Sequence, residues 1–181
     1  DPSEFFAEMR VIKIEEEIRR VRRATEITAD AHLAAMRMTR PGMYEYEIAA
    51  LIESIYHKTE KSYPGYRTIL ASGQNATILH YIDNNRQIEE NDLVLIDSGC
   101  EYKYYNGDVT RTFPANGKFT DAQREIYQIV LETQIALINM IKPRITIDKV
   151  NKRAIRLLTE GMIKLGLLEG DTNKLIEDKK Y

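Results

Sequence analysis

The sequence predicts an α+β fold on three observations: apolar residues recur at helical spacing on both sides of the chain's middle, short β-prone runs cluster between them, and Pro–Gly pairs mark the changes. Ile14, Ile18, Val21, Ile27, Ala31, Ala34, Ala35 and Met38 place a long amphipathic helix over 13–39, which Arg40-Pro41-Gly42 ends. A second helix, about 44–60, puts Ile48, Leu51, Ile52 and Ile55 on one face, and Tyr63-Pro64-Gly65 reads as a turn. β-prone pieces follow at Thr68–Ala71 and Thr77–Tyr81; the strongest is Leu93–Asp97, continuing through Gly107–Phe113. Thr120 with Gln123 forms a capping-box pattern that opens a third helix, with Ile126, Ile129, Val130, Leu137 and Met140 on its apolar face. Pro143 interrupts. A fourth helix runs about 147–165, with Gly166 as its C′ glycine, and Asp171 caps a short last helix.

A weak internal repeat runs through this order. Met38-Thr39-Arg40-Pro41 is echoed 102 positions later by Met140-Ile141-Lys142-Pro143, each opening an amphipathic helix after a helix-breaking proline. At 181 residues the chain can bury one ordinary core, and 43% hydrophobic with 30% charged residues is the balance of a soluble globular protein. The net charge of −2 gives no field that calls for nucleic acid. The arginines 19, 20, 22 and 23 lie among Glu15, Glu16, Glu17 and Glu26 as a solvated, ion-paired helix face. No apolar run approaches the ~20 residues of a membrane helix. Cys100 is the only cysteine, which excludes an internal disulfide and fits a reducing compartment. Asp1-Pro2-Ser3-Glu4 reads as an internal point of a longer chain, and Asp178–Tyr181 carries no stop signal, so a fragment is expected.

Leu93-Val94-Leu95-Ile96 has the pattern of a buried strand, and Asp97 follows directly on it, where an unpaired charge is expensive. If the chain reverses at Tyr102-Lys103, Asp97 lies directly opposite Asp108, with Cβ atoms about 4.5–5.5 Å apart and like charges in repulsion. A divalent metal ion between them would relieve this: Mn²⁺ or Mg²⁺, or Zn²⁺ or Co²⁺ with a nitrogen ligand added. Gly107 suggests a kink that re-aims the second carboxylate. The competing register turns at Asn106-Gly107 and leaves Asp108 exposed, and Arg111 offers either aspartate a plain salt bridge. Spacing alone leaves these alternatives open. His80, after Thr77-Ile78-Leu79, is open between a site residue and a hydrogen-bonded histidine at a strand end, and His32 and His57 read as surface or core-edge residues. No CxxC, HExxH, GxSxG or GxxxxGK[ST] motif occurs, which removes the common zinc-finger, zincin, serine-hydrolase and P-loop readings.

Ile78–Tyr81, Asp92–Cys100 and Gly107–Phe113, with Gly117–Thr120, Gln123–Tyr127 and Arg40–Met43, together resemble the Xaa-Pro aminopeptidases. These belong to the pita-bread metallopeptidases, with methionine aminopeptidases, prolidases and creatinases. The resemblance implies an α+β pita-bread fold, its first half plus the opening helices of its second. Residues 1–181 would then be a partial catalytic domain, lacking the N-terminal domain and the C-terminal part of the catalytic domain. It implies removal of an N-terminal residue preceding proline by a water activated at two divalent metal ions, commonly manganese, with zinc or cobalt as alternatives. Asp97 matches the family's terminal ligand and Asp108 its bridging ligand; His80 matches the histidine that contacts substrate, and Tyr66 a residue lining the pocket. The family's metal-binding histidine and two glutamates, one of them the general base, have no match here, so the chain by itself is expected to be inactive. Arg144 stands where relatives often carry glycine. Peptides with proline second, a homo-oligomer and the cytoplasm complete the expectation, with no nucleic acid and no membrane as partners. The alternatives are a non-catalytic binding module of the same fold and a prolidase or methionine aminopeptidase branch.

Overall fold

The computed structural model describes residues 2–60 and 62–181. Asp1, the first residue of the expected internal start, lies outside them. Two compact units divide the chain, Asp1–Lys118 and Phe119–Tyr181.

The first unit opens with helices α1 (Pro2–Val11), α2 (Glu15–Met38) and α3 (Glu45–Lys58). α1 is absent from the sequence reading, and the reason is physical: none of its residues is buried, so no apolar stripe marks it. The N-terminal turns of α2 and α3 are closed in the same way. Glu17 accepts from the Ile14 N–H at 2.7 Å and Glu47 from the Tyr44 N–H at 2.6 Å, the returning half of a capping box. The ladders are short: β1 (Tyr63–Pro64), β2 (Ile69–Ser72), β3 (Leu93–Ser98), β4 (Cys100–Tyr102), β5 (Tyr105–Asn106) and β6 (Val109–Pro114). One antiparallel sheet has the order β2-β3-β6, the other β1-β4-β5.

Along β3 burial alternates, so Val94, Ile96 and Ser98 face one side and Leu93, Leu95 and Asp97 the other. The first side joins Ile27, Ala31 and Ala35 of α2, Ile48, Ile52 and Tyr56 of α3, and Leu70 of β2 in the main core. The second carries a smaller cluster of Ile69, Ala71 and Tyr81, with Leu95 against it. An unbroken apolar run ending in Asp97 therefore serves a strand packed on both faces, and Asp97 extends the face away from α2 and α3.

Three expectations fail here. Tyr63-Pro64 is not a turn but a short strand, because it pairs with Cys100 and Glu101. Thr77–Tyr81 is not a strand: a 3₁₀ turn, η1 (Gly73–Thr77), precedes it, His80 takes a left-handed backbone (φ +54°), and Ile78 and Leu79 are exposed. The hairpin turns at neither predicted place. Tyr102 pairs with Tyr105, and Lys103 and Tyr104 both adopt positive φ (49° and 71°), with the Tyr104 N–H held by the Glu101 carboxylate at 2.7 Å.

The second unit contains α4 (Asp121–Met140), α5 (Ile147–Lys164) and α6 (Thr172–Glu177). Thr120 and Gln123 close the predicted capping box, at 3.3 and 2.9 Å. Gly166 (φ +69°) ends α5 in a Schellman arrangement, its N–H donating to Ile163 O and that of Leu167 to Met162 O. Asp171 caps α6 through the Asn173 and Lys174 N–H groups. Gly161 lets α5 approach Ile129 of α4 closely, since a Cβ there would lie 2.3 Å from the isoleucine methyl. Ile126 and Val130 of the predicted apolar face nevertheless stay exposed. The internal repeat is present in the elements: α2 and α4 end at Met38 and Met140, and α3 and α5 begin at Glu45 and Ile147. The left-handed glycine between the first pair, Gly42 (φ +91°), is matched by Arg144 (φ +73°).

Candidate metal centre

The hairpin pairs Asp97 with Thr110 and Ser98 with Val109, so Asp97 does not sit directly opposite Asp108 as the sequence register had it. The displacement is two residues along β6. Side chains alternate with period two, so a two-residue shift leaves Asp108 on the same side as Asp97. A kink then brings the two together. The ladder is interrupted between Ser98 and Cys100 and between Asn106 and Val109, and the strands nearly touch there: a Cβ on Gly99 would lie 1.8 Å from the Gly107 carbonyl oxygen. Gly107 is pressed in turn onto α2, where a Cβ would meet Thr28 Oγ1 at 2.6 Å. Thr28 Oγ1 accepts from the Cys100 N–H at 2.9 Å. The kink foreseen at Gly107 thus has a second half, Gly99, that the sequence reading missed.

The two carboxylates converge on one oxygen. Tyr66 Oη lies 2.7 Å from Asp97 Oδ1 and 3.1 Å from Asp108 Oδ1, the phenol donating to either. Burial, and then the Asp97 and Asp108 carboxylates, push that phenol well above its usual range. Among the described residues neither aspartate forms an ion pair. Arg111, offered as a plain salt-bridge partner, is exposed and donates instead to Thr110 O at 2.7 Å.

Tyr66, His80, Asp97 and Asp108 line one cavity of about 370 Å³ together with Arg67, Ile69 and Ile82, and Arg67 forms no ion pair with either aspartate. A second depression of about 320 Å³ adjoins it through Ile69, His80 and Asp97 and continues over Ile78, Leu79 and Leu95. A larger hollow of about 700 Å³ lies on α2 along Ile18, Val21 and Ala29, but no carboxylate pair or histidine opens into it. All four residues singled out by sequence are therefore brought together. His80 is exposed at the cavity's edge and has no hydrogen-bond partner among the described residues, which removes the reading of a satisfied strand-end histidine.

His32 corrects another expectation. It is buried, 3% exposed, with Nδ1 2.9 Å from Thr28 O and Nε2 3.0 Å from Val109 O, bracing α2 against the strand next to Asp108. Ala24, Thr28 and His32 form a stripe at every fourth residue of α2 beneath the kink; that spacing is the signal the sequence offered for it. As donors for a cation, the two carboxylates are hard oxygens suited to manganese, magnesium or zinc. No group of three or more His, Cys, Asp or Glu placed to hold a metal occurs among the described residues. The donor set fits a divalent ion and covers part of its coordination.

The model of metallopeptidase family M24 matches residues 19–176. The chain is 50% identical over 174 residues to the Xaa-Pro aminopeptidase of Escherichia coli, covering 96% of this chain and 40% of that one. It is 47% identical over 175 residues to the Xaa-Pro aminopeptidase of Haemophilus influenzae, covering 97% of this chain and 41% of that one. It therefore spans about two fifths of the length of these relatives. Zinc-substituted E. coli aminopeptidase P in complex with product superposes with a TM-score of 0.92 at 48% identity, over 95% of this chain and 39% of that one. Alanine variants of the same E. coli enzyme include two aspartates eleven positions apart and a histidine seventeen positions before the first. Those are the separations of Asp97, Asp108 and His80. No helix among the described residues is long and apolar enough to cross a membrane.

Proposed function

This chain belongs to metallopeptidase family M24 and has its pita-bread fold, and from that premise we propose that it carries part of the metal site of an Xaa-Pro aminopeptidase. The observation that carries the proposal is the convergence of Asp97 and Asp108 on a single oxygen position with no cationic side chain paired to either among the described residues. Two carboxylates so close repel, and an arrangement of that kind persists most naturally where a cation belongs between them.

In this reading residues 1–181 form part of a catalytic domain. Asp97 and Asp108 are the residues of this chain that would hold the divalent ions, each through its carboxylate. When bound, the two divalent ions supply Lewis acidity, which makes water a nucleophile at neutral pH and stabilises negative charge on the scissile carbonyl. The chain's own residues do the rest that this part can do. His80 donates a ring N–H toward the substrate carbonyl, and Tyr66 holds the Asp97 carboxylate in position through its phenol. Ile69, Ile82 and Leu95 give the cavity an apolar wall against which a peptide side chain can lie. The hard carboxylate donors suit manganese, and zinc or cobalt would need a nitrogen ligand in addition. The unpaired Cys100 thiol suits the cytoplasm. The exposed apolar residues of α4, Ile126, Val130, Ile135 and Ile138, are a surface that the rest of the domain or, in a homo-oligomer, a second copy would cover.

The test uses the full-length gene product loaded with Mn²⁺ and a peptide with proline at the second position. Release of the first residue should require metal. Asp108→Ala should abolish release, and His80→Ala should lower kcat about 10²–10³-fold while metal stays bound. Near-normal cleavage by Asp108→Ala would overturn the assignment.

A further inference from the structure

His80 sits on a segment that lacks a ladder of its own. From Ile78 to Arg86 the backbone is neither helix nor strand, and at His80 it is left-handed, φ +54°. The exposed imidazole has no hydrogen-bond partner among the described residues, so the backbone that carries it is what places it at the cavity's edge. That backbone is in turn held by side chains from elsewhere. Asn84 lies along the outer edge of β2, its Oδ1 accepting from the Leu70 N–H at 2.9 Å and its Nδ2 donating to Thr68 O at 2.8 Å. This extends the sheet by one side-chain amide.

The stronger clasp is Glu45, the first residue of α3 and fully buried. Its Oε1 accepts from Ser72 N and Ser72 Oγ, both at 2.7 Å, and from Asn75 Nδ2 at 3.4 Å. Its Oε2 accepts from Tyr81 Oη at 2.8 Å and from Arg86 N at 3.0 Å. The Arg86 guanidinium is engaged with Asp92 and Ser72, so neutral donors and the positive end of α3 do most of the work of satisfying this carboxylate. A buried carboxylate is costly unless its lone pairs are met, and a surface side chain would serve the start of a helix equally well. What the burial of Glu45 achieves is to tie both ends of the 72–86 segment to α3, with one bond on the residue next to His80.

We infer that Glu45, acting through the Tyr81 hydroxyl, is a positioning residue for His80: it fixes the left-handed turn and so aims the imidazole into the cavity of Asp97 and Asp108. The inference rests on the role given to His80 above.

The test is a double-mutant cycle in the Mn²⁺-loaded full-length gene product, reading kcat, KM, bound manganese and Tm. Tyr81→Phe removes one hydroxyl and leaves the ring's packing; it should lower kcat about 10-fold with KM and manganese content unchanged, and lower Tm by a few degrees through the donor lost to the Glu45 carboxylate. Glu45→Gln should act in the same direction and more strongly. In the presence of His80→Ala neither substitution should cost anything further. Full additivity with His80→Ala, or a wild-type kcat for Tyr81→Phe, would overturn the inference while leaving the role of His80 standing. A wild-type rate for His80→Ala would overturn both.

Discussion

Gly99→Ala is the smallest change that should dismantle the centre, since it adds one methyl group and touches neither carboxylate. Its Cβ would lie 1.8 Å from the Gly107 carbonyl oxygen and 2.9 Å from the Tyr66 ring, where contacts below 3.0 Å are essentially never seen. The first neighbour is backbone and cannot rotate away, and Gly107 has no room to retreat because Thr28 and the Ala24 carbonyl lie behind it. The two strands must therefore separate, lengthening that contact from 1.8 Å to at least 3.0 Å. Overpacking of this kind costs about 3 kcal/mol. It also shifts Asp108, the residue after Gly107, relative to Asp97. Ligands need to be held within about 0.5 Å, and a misplacement of about 1 Å costs on the order of 100-fold. In the full-length gene product, urea unfolding should show the stability loss, and calorimetric titration with Mn²⁺ should show affinity weakened by about 100-fold. An unfolding midpoint and Mn²⁺ affinity indistinguishable from wild type would refute the close approach of the strands.

Arg144→Gly should stabilise the protein by about 0.5–1 kcal/mol in denaturant unfolding, because a left-handed backbone at φ +73° penalises a side chain that glycine lacks; a loss of stability would mean that the arginine compensates elsewhere. His32 should make stability depend on pH. Burial, outweighing its two carbonyl contacts, holds its pKa below the usual 6.5. The unfolded chain therefore takes up the proton first, so stability is full above about pH 6.5 and falls as the pH drops toward the folded value. His32→Gln should flatten that acid limb in unfolding midpoints measured from pH 5 to 8, and an unchanged slope would remove His32 as its source.

Much of this architecture is legible because apolar periodicity is a local record of burial. α2 and α3 fall within two residues of their predicted ends, and the Pro41 and Pro143 echo correctly announces two helix pairs in one register. What the sequence misjudges is decided by partners distant in the chain. Thr77–Tyr81 has a strand's composition, yet Glu45 and Asn84 claim its surroundings and leave Ile78 and Leu79 exposed. The hairpin turn has two attractive candidates in sequence, and the chain uses Lys103-Tyr104, a pair with no glycine or asparagine to advertise positive φ. That error proved harmless to the site, because a register displaced by two residues keeps every side chain on its face. Tyr66 was legible only through family resemblance, since a tyrosine after Pro64-Gly65 gives no local hint that its hydroxyl will meet two carboxylates.

The most direct measurement is anomalous scattering from crystals of the full-length gene product grown with Mn²⁺. Two manganese peaks are expected, one of them within about 2.0–2.6 Å of carboxylate oxygens from both Asp97 and Asp108, and Asp108→Asn should abolish the shared one. Manganese bound elsewhere with these carboxylates unliganded, or two unchanged peaks in Asp108→Asn, would contradict the assignment of this hairpin as part of a dinuclear metal site.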